Sequence, residues 1–149
     1  MAEASPSDAV VRAWVRLVRA QHTVLSAVEA DLKFAGFPPL GWYDVLLELS
    51  REKGHGLRPF ELEGRLLLAQ YNLSRLLDRL EAAGYLERRP CAEDGRGHVV
   101  AITDPGRQLM KRMWPVYRRA IAKHFASRLS IDDIDQLLRI LSKVSIEND

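Results

Sequence analysis

Hydrophobic positions in the first third of the chain recur every three or four residues, which is the spacing of one face of an α-helix. The positions on this face are Val11, Trp14, Val18, Gln21, Leu25, Val28 and Leu32. The spacing predicts one long helix that has Asp8 as its N-cap and ends at Gly36, before a pair of prolines. Phe34 and Phe37 are expected to pack where this helix ends.

Three shorter helices are predicted in the next part of the chain. The second helix begins near Gly41 and carries its apolar residues on one face. The third begins at Pro59, because the missing N–H of proline costs nothing in the first turn of a helix. The fourth begins near Gln70, and its predicted buried stripe is leucine throughout. This stripe consists of Leu73, Leu76, Leu77 and Leu80.

The opposite face of the fourth helix is polar. At 100° of rotation per residue, Tyr71, Arg75 and Asp78 lie away from the leucine stripe, flanked by Ser74 and Arg79. These side chains can donate and accept hydrogen bonds at a surface. We refer to them as the reading face.

A hairpin is predicted directly after the fourth helix. The chain from Tyr85 to Arg89 has the pattern of a strand, Asp94 and Gly95 form a turn signal, and residues 98–102 are a β-branched strand. Pro90 confines the first strand to a sheet edge or a bulge. Two helices joined by a turn can place the second in a DNA major groove, while a neighbouring basic hairpin reaches the backbone or minor groove. The order therefore predicts a winged helix-turn-helix.

Two more helices are predicted after the hairpin. Thr103 or Asp104 caps the first of them, and Ser130 with Asp133 resembles the capping box of the last. The last helix, residues 131–146, has an apolar stripe that requires another helix as its partner. This stripe consists of Ile134, Leu137, Leu138, Leu141 and Val144. The predicted fold class is mainly α with a small β-hairpin wing.

Composition narrows the class of protein. The 149 residues correspond to one domain, and the net charge of +2 is unevenly distributed, since residues 105–131 hold seven basic side chains and no Asp or Glu. No apolar run is long enough for a membrane span, and the N-terminus lacks the pattern of a secretory signal, so we expect a cytoplasmic protein. With one cysteine and scattered histidines, no closed zinc site and no cofactor are expected.

Three stretches of the sequence resemble the MarR family of bacterial transcription regulators, over nearly the full chain. They are LGWYDVLLEL, LSRLLDRLEAAGYLERRP and EDGRGHVVAITDPG, of which the last is similar to the wing pattern of the family. The resemblance implies that Asp94 and Arg96 shape the wing tip and that the arginine enters the minor groove. The sequence departs from the family at Ala69, where many members have a serine or threonine that caps the recognition helix.

The resemblance also implies an architecture and a set of DNA contacts. It implies a homodimer built from residues 8–35 and 105–147, with residues 40–104 as the DNA-binding region, and a pseudopalindromic double-stranded DNA operator. The residues that we expect to contact DNA lie in the fourth helix, just before it, and in the wing. They are Gln70, Tyr71, Asn72, Ser74, Arg75, Arg79, Arg88, Arg89, Asp94 and Arg96. For Arg75 and Arg79, an intrahelical ion pair with Asp78 or Glu81 is the structural alternative.

Members of this family commonly release DNA when a small aromatic or anionic effector binds between the dimer helices and the DNA-binding region. Side chains on segments that could line such a pocket are Trp14, His22, Trp42 and Tyr43, although aromatic residues at helical spacing are often plain core. Two other functions remain open. Cys91, beside Arg88 and Arg89, could act as a redox sensor, and a winged helix can be a protein-interaction module. Catalysis is not expected, because no nucleophile, metal or phosphate-loop motif is present.

Overall fold

Six α-helices and one two-stranded hairpin make up the part of the chain that the computed structural model describes, which is residues 3–53, 55–91 and 97–145. In chain order the elements are α1 (Asp8–Phe34), α2 (Leu40–Ser50), α3 (Pro59–Arg65), α4 (Leu73–Ala82), β1 (Leu86–Pro90), β2 (His98–Ile102), α5 (Asp104–His124), a short 3-10 helix (Ala126–Arg128) and α6 (Ile131–Leu141). The predicted fold class is confirmed.

The core lies beneath α4. Leu76, Leu77 and Leu80 of α4 are buried, and Leu73 is half-buried against the same cluster, so the predicted leucine stripe is confirmed. Each fully buried leucine contributes about 1.5–3 kcal/mol relative to an exposed one. Because the stripe packs toward β1 and α3, the polar side of α4 has to face away from the core.

Strand β2 has a backbone partner on each of its two edges. On one edge it pairs antiparallel with β1, where Arg88 lies opposite Val100. On the other edge, Val100 exchanges backbone hydrogen bonds of 2.9 and 2.8 Å with Leu57, which precedes α3. Gly56 makes this approach possible, because a Cβ there would lie 2.8 Å from the carbonyl oxygen of Val100. The predicted turn at Asp94 and Gly95 lies outside the described residues.

Two predicted helix starts are wrong. Ser7, not Asp8, is the N-cap of α1, since its side chain accepts the N–H of Val10 at 3.3 Å. Helix α4 begins at Leu73 and not near Gln70. The side chain of Asn72 caps α4, because it accepts the N–H of Arg75 at 3.1 Å. In both helices the N-cap is thus the residue whose side-chain oxygen reaches an N–H group of the first turn.

Other predicted helix ends are confirmed. Gly36 has a φ of +82°, the left-handed conformation that ends α1. Thr103 caps α5, and its hydroxyl accepts the N–H of Gly106 at 3.2 Å. Ser130 and Asp133 form the capping box of α6, with hydrogen bonds of 3.0 and 2.9 Å. Phe34, however, is almost fully exposed, so the predicted packing at the end of α1 involves Phe37 alone.

Helices α1 and α5 pack against each other as a helical body. His124 Nε2 of α5 lies 2.8 Å from Asp31 Oδ2 of α1. Helix α6 has no buried residue, and its Leu138 is 65% exposed. The first half of α1 also exposes large apolar side chains, among them Trp14 and Leu17. Within the described residues, these two apolar faces have no partner that buries them.

Candidate nucleic-acid interface

The turn between α3 and α4 is tied to α2 by a buried carboxylate. Asp44 accepts the backbone N–H of Leu67 at 3.1 Å and that of Leu68 at 2.8 Å. Burial raises the pKa of Asp44, and these hydrogen bonds together with the nearby charge of Arg51 oppose the rise. The two bonds fix the segment that leads into α4, so they position α4 and its reading face.

The reading face of α4 is exposed. Tyr71, Ser74, Arg75 and Arg79 all lie at the surface, and Tyr71 is fully accessible to solvent. Neither Arg75 nor Arg79 forms an ion pair with any residue that the structure describes. The alternative of an intrahelical pair with an acid of α4 is therefore not adopted, and both guanidinium groups remain available to a ligand.

The acids of α4 pair with the hairpin instead. Arg88 Nη2 lies 2.8 Å from Asp78 Oδ1, and Arg88 Nη1 lies 2.6 Å from Glu81 Oε1. The side chain of Arg88 is only 23% exposed. Asp78 and Glu81 thus orient an arginine of the hairpin. Arg88 is among the residues predicted to contact DNA, but the structure places its guanidinium against two carboxylates of its own chain.

The remaining predicted contacts fall into three groups. Arg89 forms an ion pair with Glu87 and is about half exposed. Asp94 and Arg96 lie outside the described residues. Gln70 and Asn72 make contacts within the chain. Gln70 packs its amide against Gly41, where a Cβ would come within 2.7 Å of Gln70 Nε2, and the side chain of Asn72 caps α4.

The acid-free segment after Pro105 forms α5 and the 3-10 helix. Its basic residues are Arg107, Lys111, Arg112, Arg118, Arg119, Lys123 and Arg128. Arg107 is half-buried and the other six are exposed. Across the described ranges none of the seven takes part in an ion pair. Positive charge is therefore displayed on the helical body as well as on α4.

An open cleft of about 610 Å³ lies between α1, the start of α2, the α3–α4 turn and α4. Its walls include Leu25, Trp42 and Leu76, and Arg75 and Arg79 also line it. This volume is in the range of small-molecule sites. The cleft was not predicted, because its walls come from segments far apart in the sequence.

The four predicted effector residues are not brought together. Of these, Trp42 lines the cleft. Trp14 and His22 are exposed along α1. Tyr43 is buried between α2 and α5, where its ring stacks on that of Trp114 at 6.2 Å between centroids. Successive residues of a helix point in different directions, so Trp42 and Tyr43 face a cleft and a core respectively.

Cys91 is buried at the end of β1. Its neighbour is Arg58, whose Nη2 donates to Cys91 Sγ at 3.0 Å, and not Arg88 or Arg89 as the sequence suggested. Over the described part of the chain, no three His, Cys, Asp or Glu side chains are grouped so that they could hold a metal ion. No helix found there is long and apolar enough to cross a membrane.

Two helices joined by a tethered turn, followed by an antiparallel hairpin, define a winged helix-turn-helix protein. The family model described as MarR family matches residues 35–97. A relative described as the uncharacterized HTH-type transcriptional regulator YkoM, from Bacillus subtilis strain 168, is 34% identical over 121 residues. That alignment covers 79% of this chain and 74% of YkoM. The chain therefore belongs to the MarR family of transcriptional regulators, which are not enzymes.

Two further proteins are similar. Transcriptional repressor MprA from Escherichia coli K12 is 29% identical over 67% of this chain, and the chain spans 56% of MprA. Sco3205, a MarR family transcriptional regulator from Streptomyces coelicolor solved in complex with DNA, superposes with a TM-score of 0.84. It is 23% identical, and the superposition covers 96% of this chain and 89% of Sco3205, so this likeness supports the fold.

Proposed function

We propose that this protein is a homodimeric repressor that binds a pseudopalindromic double-stranded DNA operator in a sequence-specific manner. The observation that carries the proposal is the reading face of α4. It presents Arg75 and Arg79 without an ion pair to any described residue, on a helix fixed by buried leucines and by the Asp44 tether. Arginine bidentate to guanine contributes about 1–3 kcal/mol of discrimination between bases.

Within this proposal, side chains divide into those that read bases and those that hold the backbone. Tyr71, Ser74, Arg75 and Arg79 read the major groove. Arg89 contacts the backbone and, as the resemblance to the family implies, Arg96 enters the minor groove while Asp94 shapes the wing tip. The structure does not describe Asp94 and Arg96. This division follows the exposure of the reading face and the resemblance of the wing sequence to the family pattern.

The dimer is proposed from the apolar faces without a partner. Leu138 of α6 and Trp14 and Leu17 of α1 are largely exposed in one chain, and a second copy would cover them. Residues 8–35 and 105–147 then form the dimerisation region, and residues 40–104 the DNA-binding region. A two-fold dimer presents two α4 helices to half-sites about one helical turn apart, roughly 10 base pairs.

We also propose that the protein is located in the cytoplasm, because a regulator of this kind acts on the chromosome.

Regulation by a small aromatic or anionic effector is part of the proposal. The cleft between the helical body and the DNA-binding region supports it, because Trp42 and Leu25 offer apolar surface and Arg75 offers a positive charge. Of the four side chains predicted from the sequence, we retain Trp42 as an effector contact.

The alternative of a protein-interaction module is less favoured. An acidic residue on the reading face and a missing helix cap would speak for it, but Asp78 is paired with Arg88, and Asn72 provides the cap that Ala69 lacks. A redox sensor at Cys91 is not favoured either, since the thiol is buried against Arg58.

The experiment that tests the proposal is selection of bound duplexes from a random DNA pool, followed by titration at several salt concentrations. We expect two half-sites about ten base pairs apart and an affinity that falls steeply as salt rises. Recovery of weak, sequence-indifferent binding would contradict the proposal. A protein partner would then be the better hypothesis.

A further inference from the structure

We propose that Arg88 is a positioning residue that sets the direction of the hairpin relative to α4 and makes no contact with DNA itself. The inference rests on the proposed DNA-binding function and adds to it the means by which major-groove and hairpin contacts are held in register. We call the group formed by Arg88, Asp78 and Glu81 the Arg88 clamp.

The clamp joins two elements that are otherwise linked by a short connection. Helix α4 ends at Ala82 and β1 begins at Leu86, with Gly84 at a φ of +83° between them. Arg88 reaches back over this connection to residues seven and ten positions earlier. A single contact would fix a distance only. Two contacts to one planar guanidinium also fix an orientation.

The anchor points themselves are well supported. Asp78 and Glu81 are three positions apart, so they lie on the same side of α4 one turn from each other. Arg88 is paired with Val100, which is fully buried and is bonded to Leu57 on its other edge. The hairpin is thus fastened to the α3 side through Val100 and to the α4 side through Arg88.

Electrostatics argues against a phosphate contact by Arg88. A phosphate would have to compete with two carboxylates at 2.6 and 2.8 Å for a guanidinium that is only 23% exposed. Without Arg88, Asp78 would present an uncompensated negative charge on the reading face. The neighbouring Arg89 is about half exposed, and because side chains alternate along a strand it points to the other side of the hairpin.

The test is a charge-swap cycle on the duplex that the wild-type protein selects from a random pool. The variants are Arg88→Glu, Glu81→Arg and the double variant, and each is measured by affinity and by hydroxyl-radical footprinting. A clamp needs opposite charges at positions 81 and 88, whereas a phosphate contact needs a cation at position 88. Arg89→Glu, alone and with Glu81→Arg, is the matched control.

We expect each single clamp variant to lose footprint protection at the hairpin flanks and about tenfold in affinity, while protection at the centre of each half-site persists. The double variant should recover part of the flank protection and of the affinity, because it regains the ion pair between positions 81 and 88 but not the one with Asp78. Glu81→Arg should not rescue Arg89→Glu. A double variant no better than Arg88→Glu would overturn the inference.

Folding and function are checked separately. Thermal unfolding shows whether each variant is folded, and the neutral Arg88→Met replaces Arg88→Glu if the latter is not. Arg88→Met that keeps full flank protection also overturns the inference. Failure of the wild-type protein to select any sequence would instead contradict the proposed function, so the two failures are distinguishable.

Discussion

Asp44 Oδ2 accepts the backbone N–H of Leu68 at 2.8 Å, and through this bond the core of α2 holds the turn that leads into the recognition helix. The second carboxylate oxygen accepts the N–H of Leu67. Because the carboxylate is buried, water cannot replace it without a rearrangement of the turn. The position of the reading face therefore depends on a residue that never faces DNA.

Asp44→Ala should destabilise the protein and weaken DNA binding together. Two backbone N–H groups would lose a partly buried charged acceptor, and a hydrogen bond to a charged group contributes about 1.5–3 kcal/mol. Urea unfolding measures the first effect and titration of the selected duplex the second. Asp132→Ala, an exposed change in α6, serves as the control. Unchanged stability in Asp44→Ala would show that the turn does not depend on the tether.

The sequence predicts most of the fold and only part of the site. The leucine stripe of α4 has a helical period, so its burial and the outward direction of Arg75 follow from spacing alone. Periodicity carries no information on which polar residue caps a helix, so the sequence does not predict that Asn72 caps α4. The Arg88 clamp spans a chain reversal at Gly84. A tertiary ion pair of this kind leaves no periodic pattern in the sequence. The cleft that Trp42 lines leaves none either.

Gly106→Ala should loosen the junction between the hairpin and α5. A Cβ at this position would lie 2.1 Å from the carbonyl oxygen of Tyr85, so the backbone of one element has to move. Overpacking of this kind costs about 1–3 kcal/mol. Thermal unfolding should show a clear fall in Tm.

Gly64→Ala is the matched control for this change. Nothing lies within 4 Å of a Cβ at Gly64, which is inside α3. Alanine in a helix is favoured over glycine by about 0.4–1 kcal/mol where the conformation is compatible, so this variant should be as stable as the wild type or more so. If both variants lose the same stability, the contact with Tyr85 is not the cause.

Stability should fall at alkaline pH through two tyrosines of the α2–α5 contact. Burial raises the pKa of Tyr43 above 10.0, and burial followed by the nearby Tyr43, Asp44 and Glu29 raises that of Tyr117. The fold thus favours the neutral phenols. The contribution of the two phenols to the free energy of unfolding is fully present below the pKa of an unfolded tyrosine, about 10. It is lost as pH rises through the raised pKa values of the folded protein.

Urea unfolding above and below pH 10, with absorbance at the tyrosinate band, measures this loss. Tyr117→Phe cannot ionise at that position, so its stability should depend less steeply on pH than that of the wild type. Tyr71→Phe is the control, because Tyr71 is fully exposed and outside the core. An equal pH dependence in Tyr117→Phe and wild type would contradict the assignment.

Leu138→Asp should prevent dimerisation. Leu138 is 65% exposed in one chain, on a helix with no buried residue, and a carboxylate there would be desolvated by a covering partner. Sedimentation velocity should show a monomer. Phe60→Asp, at an exposed aromatic residue of α3 outside the proposed dimerisation region, should stay dimeric. A dimeric Leu138→Asp protein would place the interface elsewhere.

Arg75→Ala should relax sequence specificity at one position of each half-site. Arg75 is exposed on the reading face and has no ion pair among the described residues, so its guanidinium is available to a base edge. The wild-type protein binds the selected duplex more tightly than a duplex with that base pair changed. We expect the difference in binding free energy between the two duplexes to shrink by about 1–3 kcal/mol in Arg75→Ala. Competition titration with both duplexes measures the difference.

The comparison with Arg118→Ala separates base reading from general charge. Arg118 is an exposed arginine of α5, so its loss removes the same charge from the protein without altering the reading face. A change in long-range attraction alone should weaken binding to both duplexes alike and leave their ratio unchanged. If Arg75→Ala also leaves the ratio unchanged, Arg75 holds the backbone, and Arg79 becomes the arginine expected to read the base.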